Sequence, residues 1–187
     1  MKPVRHEEIV DYVSYEDMRQ ELRQEVMKAK SLRRVHIGDH LTLLFENRMT
    51  VRYQIQEMIR SERIVRESEI LHEINTYNEL LGNDGELGCT LLIEIEDAEV
   101  RNEKLRQWWV LPEKIYLVLE NGTRVAATFD ERQRGDGWLS SVQYLKFNTN
   151  GLVPFAALVD LPDLTAETRL TSEQREALRT DVAVAEI

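Results

Sequence analysis

Cysteine is almost missing from this chain: Cys89 is the one example in 187 residues. That excludes an intramolecular disulfide and any paired-cysteine zinc or redox motif. Long apolar runs are missing too. Stretches such as Leu43-Leu44-Phe45 and residues 153–159 fall far short of the roughly 20 residues that a membrane-crossing helix needs. The opening MKPVRHEEIVDYVSYED is polar throughout and has no apolar core of the signal-peptide kind, so a cytoplasmic location is expected. Glycine (8) and proline (4) are sparse, and no Gly-x-Gly-x-x-Gly, P-loop, His-Glu-x-x-His or Gly-x-Ser-x-Gly occurs. The common signatures of dinucleotide, nucleoside-triphosphate, zinc-peptidase and serine-hydrolase chemistry are therefore absent.

What is present describes a folded chain with a charged surface: 42% hydrophobic and 31% charged residues. Its length suits one core better than two, so residues 1–187 are read as a single domain. Net charge is −10 and unevenly spread. Residues 1–66 hold 13 Lys+Arg against 11 Asp+Glu, whereas residues 67–187 hold 11 against 23. An acidic majority repels phosphate backbones, so no nucleic acid and no membrane is expected as a partner. Arginine outnumbers lysine 18 to 6, which favours bidentate arginine–carboxylate pairing.

Apolar spacing sets the expected elements. Ser14 with Asp17 reads as a cap, and Tyr15, Met18, Leu22, Val26 and Ala29 recur at helical spacing, predicting a helix over 15–33. Residues 35–46 alternate with period two, a strand interrupted at Gly38-Asp39 by a bulge or a turn. Helical stripes follow over 48–65 and 69–81, ending at Gly82. Strands are expected at 87–96, 138–148 and 152–159. Residues 115–129 read as a hairpin whose Asn121-Gly122 pair suits a type I′ turn. Both hairpin faces are apolar, which leaves a homodimer open. Thr171 with Gln174 boxes a short C-terminal helix. The fold class is α+β: N-terminal helices packed on a mainly antiparallel sheet of four to six strands, open to barrel-like closure, then a short C-terminal helix. The helix-rich part with one strand spans 14–82, the sheet 83–160 and the last helix 170–181.

Two sets of residues are candidate sites. Glu46, Thr50, Gln54, Glu57 and Ser61 fall within roughly 80° of one another around the second helix, beside its apolar stripe. This polar ridge could bind a partner or polar ligand, with Gln143 from a strand as a further contributor, or it could be a satisfied packing edge, the more common arrangement. The second set is metal-ligating. Glu69-Ile-Leu-His72 has the Glu-x-x-His spelling of di-iron helix bundles, which need two such motifs; this chain has one. At about 100° per residue His72 lies opposite the apolar centre of its helix, facing solvent. Glu25 and Glu62 fall within apolar stripes, where an unpaired carboxylate costs several kcal/mol, so each is expected to be paired, protonated or near an edge. A metal site would draw on Glu57, Glu62, Glu69 and His72. Cys89 shares a strand face with Leu87, Leu91, Ile93 and Ile95 and reads as a buried thiol.

The runs FENRMTVRYQIQEMIRSERI (45–64), YNELL (77–81) and WLSSVQYLKF (138–147) resemble an uncharacterised bacterial family known as a domain of unknown function, over about residues 14–180. Its pattern falls on Phe45-Glu46-Asn47, Thr50, Gln54, Glu57-Met58, Glu62-Arg63-Ile64, and on Ser140, Val142, Gln143 and Tyr144. The resemblance implies a setting near rubrerythrin-like and iron–sulfur oxidoreductase proteins, and so a redox or oxidative-stress role. The expected function is that of a non-catalytic accessory or interaction protein in such a system. The competing readings are an iron-, manganese- or zinc-dependent enzyme using helix carboxylates, and a small-ligand-binding domain with a pocket between sheet and helices. No cofactor is predicted; a divalent metal ion is what the enzyme reading would require.

Overall fold

The computed structural model describes residues 1–135 and 137–183. Helix α1 (Tyr12–Ser31) leads into strands β1 (Arg34–Ile37) and β2 (Leu41–Glu46), then helices α2 (Arg48–Glu62) and α3 (Glu67–Asn78). Next come β3 (Glu86–Ile93), α4 (Ala98–Gln107), β4 (Ile115–Leu119), β5 (Arg124–Ala126), β6 (Thr128–Phe129), β7 (Val142–Asn148), β8 (Pro154–Leu161), β9 (Leu164–Arg169) and α5 (Ser172–Val182).

The α+β class holds, and every strand pairing is antiparallel. The strands form two sheets, β1-β2-β3-β7-β6 and β5-β4-β8-β9, and these do not close into a barrel. One extended segment serves both: β5 pairs with β4, and after Ala127 the chain continues as β6 beside β7. Such a strand switch is how packed sheets make a corner. Gly38-Asp39 is a turn, so residues 35–46 form the two-stranded pair β1–β2 in place of one strand.

The main core lies between the sheets, where period-two alternation directs Leu43, Phe45, Leu91, Leu145 and Phe147 against Ile115, Leu117, Ala157 and Val159. Cys89 joins them as a buried thiol, its pKa pushed up by burial and then by nearby Glu46. Leu105 and Trp108 at the end of α4, and Leu178 and Val182 of α5, complete this core. A smaller second core joins Val51, Ile55 and Ile59 of α2 to Ile74 of α3 and to Ile64 and Leu81. The helices cover the outward face of β2 and β3, so that Leu44, Glu46 and Thr90 are buried there. β2 is buried at all six positions.

Caps account for several boundaries. Asp11, not Ser14, caps α1: its carboxylate accepts from the Val13 and Ser14 amides, and the helix starts at Tyr12. Asn47 and Thr50 box the start of α2, and Thr171 with Gln174 boxes α5 as expected. The β4–β5 turn is not type I′, because only Gly122, at φ 84°, has a positive φ there. The Gly122 amide donates to the Leu119 carbonyl (2.8 Å) and Leu119 pairs onward with Thr123 (2.8 Å). This is a three-residue loop with a left-handed glycine. On the hairpin's outer side Tyr116 and Val118 are half-buried and Arg124 and Ala126 exposed, with the Arg124 guanidinium 3.7 Å from the Tyr116 ring centroid.

Candidate functional site

The polar ridge of α2 lies inside a seam. Glu46 and Thr50 are 0% exposed. The Glu46 carboxylate accepts from the hydroxyls of Thr50 (2.5 Å) and Thr90 (2.8 Å), so its burial is compensated by hydrogen bonds. Two turns beyond Thr50, Glu57 faces α1. It accepts a bidentate pair from Arg19 (2.7 and 2.9 Å) and a bond from the Tyr15 hydroxyl (2.8 Å). Gln54 is half-buried beside them. Gln143 belongs elsewhere: it is 0% exposed on the inward face of β7, its amide donating to the Ser140 carbonyl at 2.9 Å. Glu46, Thr50, Gln54, Glu57 and Gln143 are therefore not brought to one surface. The first four form a packing edge.

Arg19, then Tyr15, hold the Glu57 carboxyl below its ordinary value of 4.5, against the opposing effect of burial. A lowered folded pKa contributes stability that is fully present above the unfolded value and is lost as pH falls through the folded one. The fall in unfolding free energy between neutral pH and about pH 3, measured by urea titration, is therefore expected to be smaller in Glu57→Gln than in the unmodified chain. An equal acid loss in both would contradict this pairing.

The second set does not meet at one ion. Glu57 is held in the α1–α2 seam, whereas Glu62, Glu69 and His72 line a shallow hollow at the start of α3 together with Glu73. Among the described residues, no three or more His, Cys, Asp or Glu side chains are placed to hold a metal ion together. His72 points to solvent as its helical phase requires. Glu62 is exposed, not buried, because α2 ends there and Arg63 turns left-handed at φ 52°. Glu25 is exposed as well, since α1 buries only Tyr15 and Val26. The histidines of the β1–β2 pair also part company: His36 Nδ1 meets the Thr42 hydroxyl at 2.8 Å, and the His40 ring lies 6.2 Å from that of Trp108.

A cleft lies between a helix and the sheet, where the small-ligand reading expected a pocket, on residues that the sequence analysis did not single out as a site. The helices stop short of β7, so its outward residues are left open: Tyr144 is 45% exposed and Val142 36%. Between that open face and α3 runs a cleft of about 700 Å3, lined by Glu73, Tyr77 and Leu80 on one wall and by Phe129, Tyr144 and Lys146 on the other. The Tyr77 phenol is pushed up by burial, then by the charges of Glu73, Tyr144 and Glu62. Gln133 closes the strand edge: its amide accepts from the Tyr144 N–H (2.6 Å) and donates to the Tyr144 carbonyl (3.0 Å). In doing so it supplies the bonds that a further strand would make. The available signal was the outward trio Val142, Tyr144 and Lys146, alternating with the inward Gln143, Leu145 and Phe147.

The scaffold is thus an α+β two-sheet protein with a helix-walled cleft on one sheet. The chain belongs to the family described as "Protein of unknown function (DUF3501)", whose model matches residues 3–182, in agreement with its resemblance to a domain of unknown function. It is similar to a crystal structure, at 1.90 Å resolution, of a novel protein of unknown function from Burkholderia pseudomallei K96243. The two are 27% identical over 97% of this chain and 100% of that one, with a TM-score of 0.89. No curated protein matches the chain.

Proposed function

We propose that this chain is a binding protein that recognises a partner through the α3–β7 cleft and carries no chemistry of its own. The observation that carries this reading is the uncovered outward face of β7, which leaves Tyr144, Tyr77 and Phe129 lining one concave surface of about 700 Å3. Aromatic side chains of this kind supply much of the energy at recognition sites. The carboxylates with lowered pKa serve caps and ion pairs: Asp11 caps α1, Glu57 holds Arg19, Glu8 accepts from the Arg5 amide and holds Arg48, and Asp130 holds Arg132. Such assignments suit scaffolding more than proton transfer.

The redox setting implied by the family resemblance makes a rubrerythrin-like protein the first partner to test, ahead of an iron–sulfur oxidoreductase. A cytoplasmic location fits a chain in which no described helix is long and apolar enough to cross a membrane. Calorimetric titration of the full chain with a purified rubrerythrin-like protein is expected to show a complex that the double change Tyr77→Ala/Tyr144→Ala abolishes, while the variant still unfolds cooperatively. A complex that survives that change would remove the cleft from the account. Near-stoichiometric iron, manganese or zinc in untagged protein, lost on Glu57→Ala or Glu62→Ala, would favour the enzyme reading instead. One observation favours a second reading as a small-ligand domain: the cleft volume falls within the range of about 300–1,000 Å3 usual for ligand pockets. Thermal stabilisation by a member of a cofactor library, lost with Tyr144→Ala, is its signature.

A further inference from the structure

Charge is unequally divided between the walls of the cleft. Arg132 at its rim is already committed to Asp130, and Lys146 is the remaining cation of the sheet wall. The helix wall carries Glu73 and Glu79, and Glu62 lines the neighbouring hollow with Glu73. Among the described residues none of these three carboxylates has an ion-pair partner. Their charges are therefore left for an occupant of the cleft to meet, whereas Glu57, Asp181 and Glu113 are already taken up by Arg19, Arg33 and Arg134.

The acidic wall also extends beyond the cleft. Glu73 lines both the cleft and the shallow hollow that holds Glu62, Glu69 and His72. The two depressions therefore adjoin at Glu73 and together offer a track along α3, aromatic in the cleft and acidic at the α3 start. A compact molecule would fill the cleft alone, whereas an extended chain can occupy the whole track. Tyrosine faces beside unpaired carboxylates favour one kind of group, a cation with an apolar stem.

Resting on the recognition role proposed above, we infer that the occupant is an extended segment of a partner protein that presents an arginine or lysine side chain to Tyr77, Tyr144 and Glu73. Its apolar neighbours pack on Leu80 and Phe129, and a second basic residue meets Glu62 at the start of α3. Burying the cationic stem between tyrosines removes apolar surface from water, while the carboxylates replace part of the hydration of its head.

The test is a selection from a library of random linear peptides displayed against the full chain, run in parallel against Glu62→Gln/Glu73→Gln and against Tyr144→Ala. Glu62 and Tyr144 are exposed and Glu73 is half-buried, and cooperative thermal unfolding shows that each variant folds. The expected result is enrichment of peptides with arginine or lysine flanked by apolar residues. A synthesised example binds each variant roughly tenfold more weakly and loses affinity as salt rises. Free N-acetyl-arginine methylamide, titrated at the same concentrations, is expected to bind far more weakly than the peptide. The inference is overturned by no enrichment, by enrichment without basic residues, by peptides that bind the variants as tightly as the parent, or by the free arginine derivative binding as well as the peptide. A silent library beside a partner complex that Tyr77→Ala/Tyr144→Ala abolishes would remove this occupant and leave the recognition role standing.

Discussion

Gly88→Ala is expected to lower the unfolding free energy by about 3 kcal/mol or more, at the upper end of what overpacking costs. The reason is a crossing of main chains. After α3 the chain passes directly over β3, and a methyl group at Gly88 would lie 1.8 Å from the Leu80 carbonyl oxygen. At Gly82 it would lie 2.4 Å from the Glu86 carbonyl oxygen. Both obstacles are backbone, which cannot rotate aside as a flexible side chain can. A useful contrast is Gly122→Ala. Its new methyl meets nothing within 4 Å, so only the left-handed backbone opposes it, at about 1–2 kcal/mol. Urea unfolding of the two variants should separate them clearly. The crossing also positions the end of α3, and with it Tyr77 and Leu80, over β7, so that a partly folded Gly88→Ala chain should lose partner binding as well. If Gly88→Ala were no worse than Gly122→Ala, the placement of α3 on the sheet would be wrong.

The second large effect concerns the last helix. Arg33, at the end of α1, and Asp181 of α5 are each 8% exposed and paired through two bonds of 2.6 and 2.9 Å. The Arg33 guanidinium also donates to the Ala29 carbonyl at 3.0 Å, and Asn47 Nδ2 reaches Asp181 at 3.4 Å. Removing one partner leaves a charge buried without compensation, at a typical cost of about 3–5 kcal/mol. Asp181→Ala should therefore detach α5 and withdraw Leu178 and Val182 from the main core. Replacing both partners with apolar residues, Arg33→Met with Asp181→Leu, should cost much less, because no charge is then stranded. The thermodynamic cycle built from these variants by thermal unfolding gives the coupling directly. A small loss for Asp181→Ala, comparable to that of a surface ion pair, would show that the pair is solvated.

Most helices and core strands could be read from periodicity and caps, since those features act over a few residues. Thr171 with Gln174 sets a helix start that the structure keeps, and the outward phase of His72 follows from helix geometry alone. Helix α4 could not be read the same way. It buries only Leu105 while Val100 is exposed, so it has no apolar stripe, and its one local signal is Asp97 accepting from the Glu99 and Val100 amides. Edge strand β9 alternates between half-buried and exposed positions and is fixed by pairing with β8. The ridge on α2 was seen correctly as a line of polar residues, but whether a line faces water or a neighbouring helix depends on α1, which supplies Tyr15 and Arg19. Exposure of Glu62 depends on where α2 stops, which a stripe of apolar spacing does not mark. The cleft was least legible of all, because it is made by α3 and β7, elements distant in sequence, and by the absence of any helix over β7.

The account stands on the claim that the chain acts through the α3–β7 cleft, and amide hydrogen exchange tests that claim most directly. Exchange is to be followed in the full chain alone and when saturated with the rubrerythrin-like protein. Slowed exchange at residues 76–80 and 142–146, with no change along the α1–α2 seam around Thr50 and Glu57, is the predicted result. Protection confined to that seam or to α1, with the Tyr144 region exchanging as in the free chain, would contradict it.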